Sequence, residues 1–207
     1  MMAQSTTLTP REKRSLKTRT AILDAAINII NAEGIKELSI RRIAREIDYS
    51  PAALYEYFKS KEDILDALCQ LVDARLATYL ELAPTTPPLT GAQKIIEIGM
   101  NYLQFARENA REYSILFQGS NVQPGETTIY GSAFVILLDA VNVFLSSKPQ
   151  SEKSGESMNA EAFAYSCWAF VHGMATLSIQ VESMTAQSLD IVHRAALTRF
   201  INSGTYQ

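Results

Sequence analysis

The chain has 207 residues, 47% of them hydrophobic and 20% charged, with a net charge of −3. This composition suits one good-sized folded domain, or a small domain joined to a larger one, and argues against a disordered chain. The longest apolar run, Ala133 to Leu138, ends at Asp139, far short of the roughly 18 residues a bilayer span needs, and the basic N-terminus has no apolar stretch behind it, so neither a membrane protein nor a secretory leader is expected.

Helical periodicity begins near the front. Ile22, Ala25, Ala26, Ile29 and Ile30 recur every 3.6 residues, and Gly34 stands where that helix should stop. Ahead of it, Arg11, Lys13, Arg14 and Lys17 read as an unstructured basic lead-in, or alternatively as an arm along a polyanion. Ser39 caps a short helix, SIRRIAREI, with Ile40, Ile43, Ala44 and Ile47 on one face. Ser50 caps another, with Pro51 at its first position, where a missing N–H costs nothing. Ser60 followed by Asp63 resembles a capping box opening a longer helix over about 61–81. The stretch APTTPPLT, 83–90, is the clearest break. Helices resume at about 91–109, 110–118, 126–147, 159–183 and 186–202, separated by the polar loops GSNVQPGE and SKPQSEKSGES. No strand pattern and no internal repeat is found. The expected fold is all-α: a three-helix front over 11–65, a linking helix over 61–81, and a larger helical body over 83–207.

Charge divides unevenly between these parts. Through Glu62 there are 11 lysines and arginines against 8 acidic residues; from Asp63 onward there are 8 against 14. A mildly basic front on an acidic body suggests that the front meets a polyanion. Cys69 and Cys167, both in apolar helical settings, read as reduced core residues rather than a disulfide, and a cytoplasmic protein is expected. There is no metal-ligand cluster, no glycine-rich phosphate loop and no His–Cys pair with motif support, so no metal, no cofactor and no enzyme activity is expected.

The two short helices joined by IDYS have a helix-turn-helix layout, in which the second helix enters the DNA major groove. Ala44 is small enough for the helices to cross closely, and Ile43, Ile47, Leu54 and Phe58 supply a core beneath them. Leu54 and Phe58 point inward, which leaves Tyr55 and Tyr57 available to the outside. Ser50 and the free N–H groups beside it offer a phosphate site. The run LSIRRIAREIDYSPAALYEYFKSKEDIL resembles the DNA-binding domain of TetR-family transcriptional repressors. Ser39, Ile43, Ala44, Ser50, Leu54, Tyr55, Tyr57, Phe58, Lys61 and Glu62 fall in register, and TRTAILDAAINIINAEG is similar to the family's first helix. Asp48 stands where the family usually has Gly in the turn. The resemblance implies that Tyr55, Tyr57 and Lys61 contact phosphates and that Ser39 and Ser50 sit at the DNA-facing helix starts. It places Arg41, Arg42, Ala52 and Ala53 where groove or edge contacts occur. The alternative is that the tyrosines pack and the arginines are solvated.

The resemblance also implies that the body binds an effector and dimerises, and CWAFVHGMATL, 167–177, is similar to a Trp-x-x-x-His-Gly motif of one subgroup. Phe163, Cys167, Phe170, Met174, Leu177 and Val181 form one stripe on that helix; Trp168, His172, Ala175 and Ile179 form another. A helix apolar on two faces is buried on two sides, one of them against its own core and one against a second copy. Leu189, Val192, Ala196 and Phe200 on the last helix would complete a four-helix interface. Tyr102, Phe105, Tyr113, Phe117, Tyr130 and Phe134 would line an aromatic effector pocket with Trp168 and His172, or serve as core packing alone. His172 is either a polar ligand contact or a hydrogen-bonded core histidine. These readings together imply a homodimeric repressor that binds a palindromic double-stranded operator and is released by a small molecule. A regulator controlled by a protein partner, or an activator, is the alternative.

Overall fold

The computed structural model describes residues 9–82, 89–117, 131–147, 159–180 and 185–203. Tyr130 and Val181 lie outside the described residues, as do most of the three expected loops. Those described are almost entirely helical, with no strand among them. The chain forms two compact units: a front of residues 1–70 with 114–120, and a body of 71–113 with 121–207. The body therefore begins inside the linking helix, ahead of the 83 suggested by the proline-rich break.

In the front, α1 runs from Pro10 to Glu33. It starts well before Ile22 because Thr9 and Glu12 form a reciprocal capping box: the Thr9 hydroxyl accepts from the Glu12 N–H, and the Glu12 carboxylate accepts from the Thr9 N–H at 2.7 Å. Arg11, Lys13, Arg14 and Lys17 are thus exposed residues of a helix, which corrects the expectation of an unstructured lead-in. The helix ends at Gly34, whose φ of 94° suits a residue without a Cβ. A single 3₁₀ turn, Ile35–Glu37, follows; at three residues it is too short to leave a periodic signal. Next come α2 (Ile40–Glu46) and α3 (Pro51–Leu54), each capped by a serine hydroxyl that accepts from a backbone N–H: Ser39 from Arg42 at 3.3 Å, Ser50 from Ala53 at 3.2 Å. Leu38, Ile43, Ala44, Leu54 and Phe58 are buried with α1's inner face and with Ile64 and Leu68 of α4 (Lys61–Leu80). Ile47 is only half-buried.

The body is arranged around α5 (Gly91–Glu108), which packs against α7 (Ser132–Ser146), α8 (Ala160–Gln180) and α9 (Ala186–Ser203). Its buried face carries Ile95, Ile98, Tyr102, Leu103, Phe105 and Ala106. Short α6 (Ala110–Ile115) follows; its Glu112, 6% exposed, is paired with Arg75 of α4. Residues 126–130 of the expected helix lie outside the described residues; helix α7 starts at Ser132, and its N-cap Gly131 leaves it without a capping side chain of its own. Asp73 of α4 takes that role, accepting from the Ser132 N–H at 2.6 Å and from its hydroxyl at 2.5 Å. A Cβ on Gly131 would sit 2.4 Å from the Asp73 carboxylate, so this close approach requires glycine. By length and composition α8 could cross a bilayer, although no unbroken apolar run marks it; in the fold its Phe163, Ala164, Cys167, Val171 and Ala175 are buried in the body.

Asp48, in the turn between α2 and α3, has φ 56°. Side chains with a Cβ lose roughly 1–2 kcal/mol per residue in this left-handed region, aspartate less than most. Asp48→Gly is therefore expected to keep or raise the urea midpoint, whereas Asp48→Val should lower stability by about 1–2 kcal/mol. Equal midpoints for the two variants would show that the turn does not hold this conformation in solution.

Candidate nucleic-acid interface and body cavity

The front presents its polar residues on a short, capped scaffold. Buried Leu54 and Phe58 fix the inward side of the α3 segment, so Ala52 and Tyr55 are exposed and Ala53, Tyr57 and Lys61 half-buried. Helix α3 is only four residues long, and Tyr55 to Tyr57 form a turn after it, in which the Tyr57 N–H donates to the Leu54 carbonyl at 2.9 Å. Lys61 opens α4; the Asp63 N–H donates to the Ser60 hydroxyl, while the Asp63 carboxylate accepts from the Lys59 N–H at 2.9 Å. The two arginines of α2 differ. Arg41 is exposed, but Arg42 is ion-paired with Glu33 of α1, so its charge is already engaged. The hydroxyls of Ser39 and Ser50 are likewise occupied in capping their helices.

One contributor was missed by sequence reasoning. Arg19 of α1 donates to the carbonyl of Tyr57, and its guanidinium lies 4.1 Å from the centroid of the Phe58 ring. It therefore ties the irregular 55–58 turn to the long first helix through a hydrogen bond and a cation–π contact. No spacing rule links position 19 to position 57; the only signal was a cation one turn before Ile22.

The aromatic residues of the body do not all gather. Tyr102, Tyr113, Phe134, Trp168 and His172 form one cluster: Trp168 meets Tyr102 edge-on at 5.0 Å between centroids and Phe134 at 5.7 Å. The Tyr113 hydroxyl lies 2.6 Å from His172 Nδ1 and 3.1 Å from the Tyr102 hydroxyl. Burial pushes both tyrosine hydroxyls up in pKa and holds His172 below its usual range, so all three are neutral near pH 7. Phe105 stands apart, edge-on to Tyr79 at 5.1 Å, and Phe117 groups with the front and is 46% exposed. A small cavity beside Tyr102 and Trp168 is walled by Leu80, Ile98, Leu137, Val171 and Leu197. Cys167 also lines it, its thiol pushed up to about 12 by burial.

The expected partner-facing stripe on α8 divides. Phe163 and Cys167 are buried inside the chain's own body, as is Leu189 of α9, because the core face of α8 centres on Cys167, Val171 and Ala175. Phe170, Met174, Ala196 and Phe200 are half-buried, and Phe200 stacks on both Phe170 and Phe163. Leu177 and Val192 are exposed, at 62% and 51%. Exposed Ala169, Gly173 and Ala195, absent from the sequence expectation, extend that outer face.

Residues 22–68 match the family described as bacterial regulatory proteins, tetR family, and residues 95–200 match the tetracyclin repressor-like C-terminal domain. The chain belongs to the TetR family. Its front is thus the helix-turn-helix DNA-binding domain of the family's bacterial regulatory proteins. Among curated relatives, it is 33% identical over 104 residues to the nucleoid occlusion factor SlmA of Haemophilus influenzae strain Rd, covering 49% of this chain and 47% of that one. The chain spans about half the length of the curated relatives it matches. Among solved structures, a Rhodococcus sp. RHA1 protein of unknown function aligns with a TM-score of 0.69 at 21% identity, over 97% of this chain and 98% of that one. A TetR-like transcriptional regulator from the same organism aligns with a TM-score of 0.63 at 19% identity, over 96% and 98%. At these identities the structural likeness concerns the fold alone.

If the TetR-family front grips DNA through the 55–58 turn, Arg19→Ala should weaken binding to a duplex severalfold, while Arg19→Lys recovers part of the loss because it keeps the charge but not the planar fork. Fluorescence anisotropy with labelled DNA measures the affinity, and thermal melting checks the fold. Unchanged affinity for Arg19→Ala would show that the turn needs no such tie.

Proposed function

We propose that this TetR-family regulator acts in the cytoplasm as a homodimeric repressor, binding a palindromic operator through two fronts and released by a small molecule held in the body. The observation that carries the DNA-binding part is the exposed Tyr55, with Tyr57 and Lys61 beside it, on a segment whose opposite side is anchored by buried Leu54 and Phe58. A phenolic hydroxyl and an ammonium so placed can hold phosphate oxygens without reading bases, which positions α3 in the groove. Arg41, Ala52 and Ala53 then face the groove or its edge. The outer face of α8 and α9, with Ala169, Gly173, Leu177, Val192 and Ala195, supports the dimer: small residues let helices approach closely, and Leu177 and Val192 supply the apolar area. Tyr102, Tyr113, Phe134, Trp168 and His172 are the residues assigned to the effector.

A second reading has its own support. The relatives matched over half their length are named nucleoid occlusion factors, and the cavity beside Trp168 has a free volume of about 10 Å³, roughly one water's worth. A cavity so nearly filled also suits control by a protein partner that docks on the surface.

Salt dependence and oligomeric state test the main reading together. Log affinity for DNA should fall linearly with log salt, and Lys61→Ala should flatten the slope by about one unit while weakening all sequences alike. Leu177→Glu should give monomers by sedimentation that bind a palindromic duplex far more weakly than the native dimer. An unchanged salt slope, or a wild-type monomer at micromolar concentration, would contradict it.

A further inference from the structure

We infer that the first three turns of α1 form a second phosphate-binding surface, which grips duplex DNA beside the helix-turn-helix contacts. The inference rests on the reading of the front as a DNA-binding unit and extends its footprint to Arg11, Lys13, Arg14 and Lys17. Helix α1 begins at Pro10, yet its first buried residue is Ile22. Every residue from 10 to 17 is exposed, as are Arg19 and Thr20. At 1.5 Å per residue, the turns ahead of Ile22 run for about 18 Å before the core begins. None of these residues is buried, so no packing explains them, and the capping box of Thr9 and Glu12 is what starts them. Their charge is one-sided. Through Arg19 they carry five cations and a single carboxylate, that of Glu12, which is taken up in the cap. Among the described residues, ion pairs engage Arg42, Arg75, Arg107 and Arg194, but none of Arg11, Lys13, Arg14 or Lys17. A merely solvated helix face mixes charges of both signs, and this one does not.

Two observations aim this surface at DNA. The first is continuity. Arg19 donates to the Tyr57 carbonyl and lies against the Phe58 ring, so the basic turns leave the core beside the segment that carries Tyr55 and Tyr57. With about 100° between successive helical residues, Lys13, Lys17, Arg14 and Arg11 fall within roughly 160° of the circumference, and Arg19 outside it. The tether and the four unpaired cations thus use different sides of one helix. The second is charge complementarity. One strand of DNA carries a phosphate every 3.4 Å or so, hence roughly five along 18 Å. Arg11, Arg14 and Lys17 recur every three residues, with Lys13 four before Lys17. Held on a capped helix, they meet such a row of charges and add affinity without reading bases.

The test measures affinity of the full chain for a random-sequence duplex, long enough for two fronts, across a series of salt concentrations. Replacing the four residues together (Arg11→Ala, Lys13→Ala, Arg14→Ala, Lys17→Ala) should flatten the log–log salt slope by about two units or more and weaken binding at least tenfold. The melting temperature should stay unchanged, because these side chains touch no core. Arg11→Lys with Arg14→Lys should keep the wild-type slope, since a phosphate row needs the charge and not the planar fork. Leu16→Pro keeps every charge but frees the turns ahead of it from the helix, and should weaken binding severalfold. A fourfold variant with wild-type slope and affinity would overturn the inference. So would Leu16→Pro binding as tightly as wild type, which would make the basic residues a loose tail and not a placed surface. Unchanged DNA binding by the fourfold variant, with lost binding to vesicles of anionic phospholipid, would assign the surface to a membrane instead and overturn it equally. Wild-type protein that binds no duplex at any salt would contradict the DNA-binding reading itself. Steep wild-type binding that the fourfold variant preserves would remove this inference alone.

Discussion

The apolar face of α5 is the constraint on which the body depends. A single helix that buries Ile95, Ile98, Tyr102, Leu103, Phe105 and Ala106 can satisfy that face only if α7, α8 and α9 all pack against it. Burying a large aliphatic or aromatic side chain is worth roughly 1.5–3 kcal/mol, so this face outweighs any single polar contact in the body. The polar pairs adjust what the burial has already fixed. Arg107 meets Asp190 at 2.8 Å and Arg194 pairs with Glu97, both joining α5 to α9 at partly exposed positions where such bridges contribute little. The consequence is that Tyr102 and Trp168 are held on packed helices, and the hydroxyls of Tyr102 and Tyr113 with His172 form a polar cluster among buried apolar side chains.

Helix ends are settled by a different and more local device. Thr9 with Glu12 and Thr90 with Gln93 close capping boxes on α1 and α5, and single serines serve α2 and α3. These bonds matter most in the front, where a four-residue helix has little internal stability of its own. Ser50, Pro51 and buried Leu54 set its start and its inward side, and Arg19 holds the turn that follows it. Exposed Tyr55 and half-buried Tyr57 are therefore presented by a segment fixed from three sides.

Much of this was legible in the sequence, for identifiable reasons. The 3.6-residue spacing of Ile22 to Ile30, Gly34 as a stop, and Ser39, Ser50 and Ser60 as starts are local signals, and the helices of the front follow them except at the start of α1, which Thr9 sets at Pro10. What was not legible depends on partners far apart in the chain. Gly131 reads as an ordinary helix residue until Asp73 is seen against it. The stripe through Phe163, Cys167 and Leu177 looked continuous because periodicity ranks residues by apolarity alone. Only the position of α5 shows that Phe163 and Cys167 face inward while Leu177 faces out. In the same way, the six aromatic residues of the expected pocket shared a composition and not a place: Phe105 meets Tyr79, and Phe117 belongs with the front.

The central claim is that two copies of the front present Tyr55, Tyr57 and Lys61 to successive grooves of one duplex. Selection from a pool of random double-stranded DNA, using the full chain at a fixed salt concentration and sequencing the bound fraction, tests it most directly. The account predicts enrichment of an inverted repeat with half-sites about one helical turn, roughly 34 Å, apart or a multiple of that. Bound DNA with no enriched sequence, or a single asymmetric site occupied by one protomer, would contradict it.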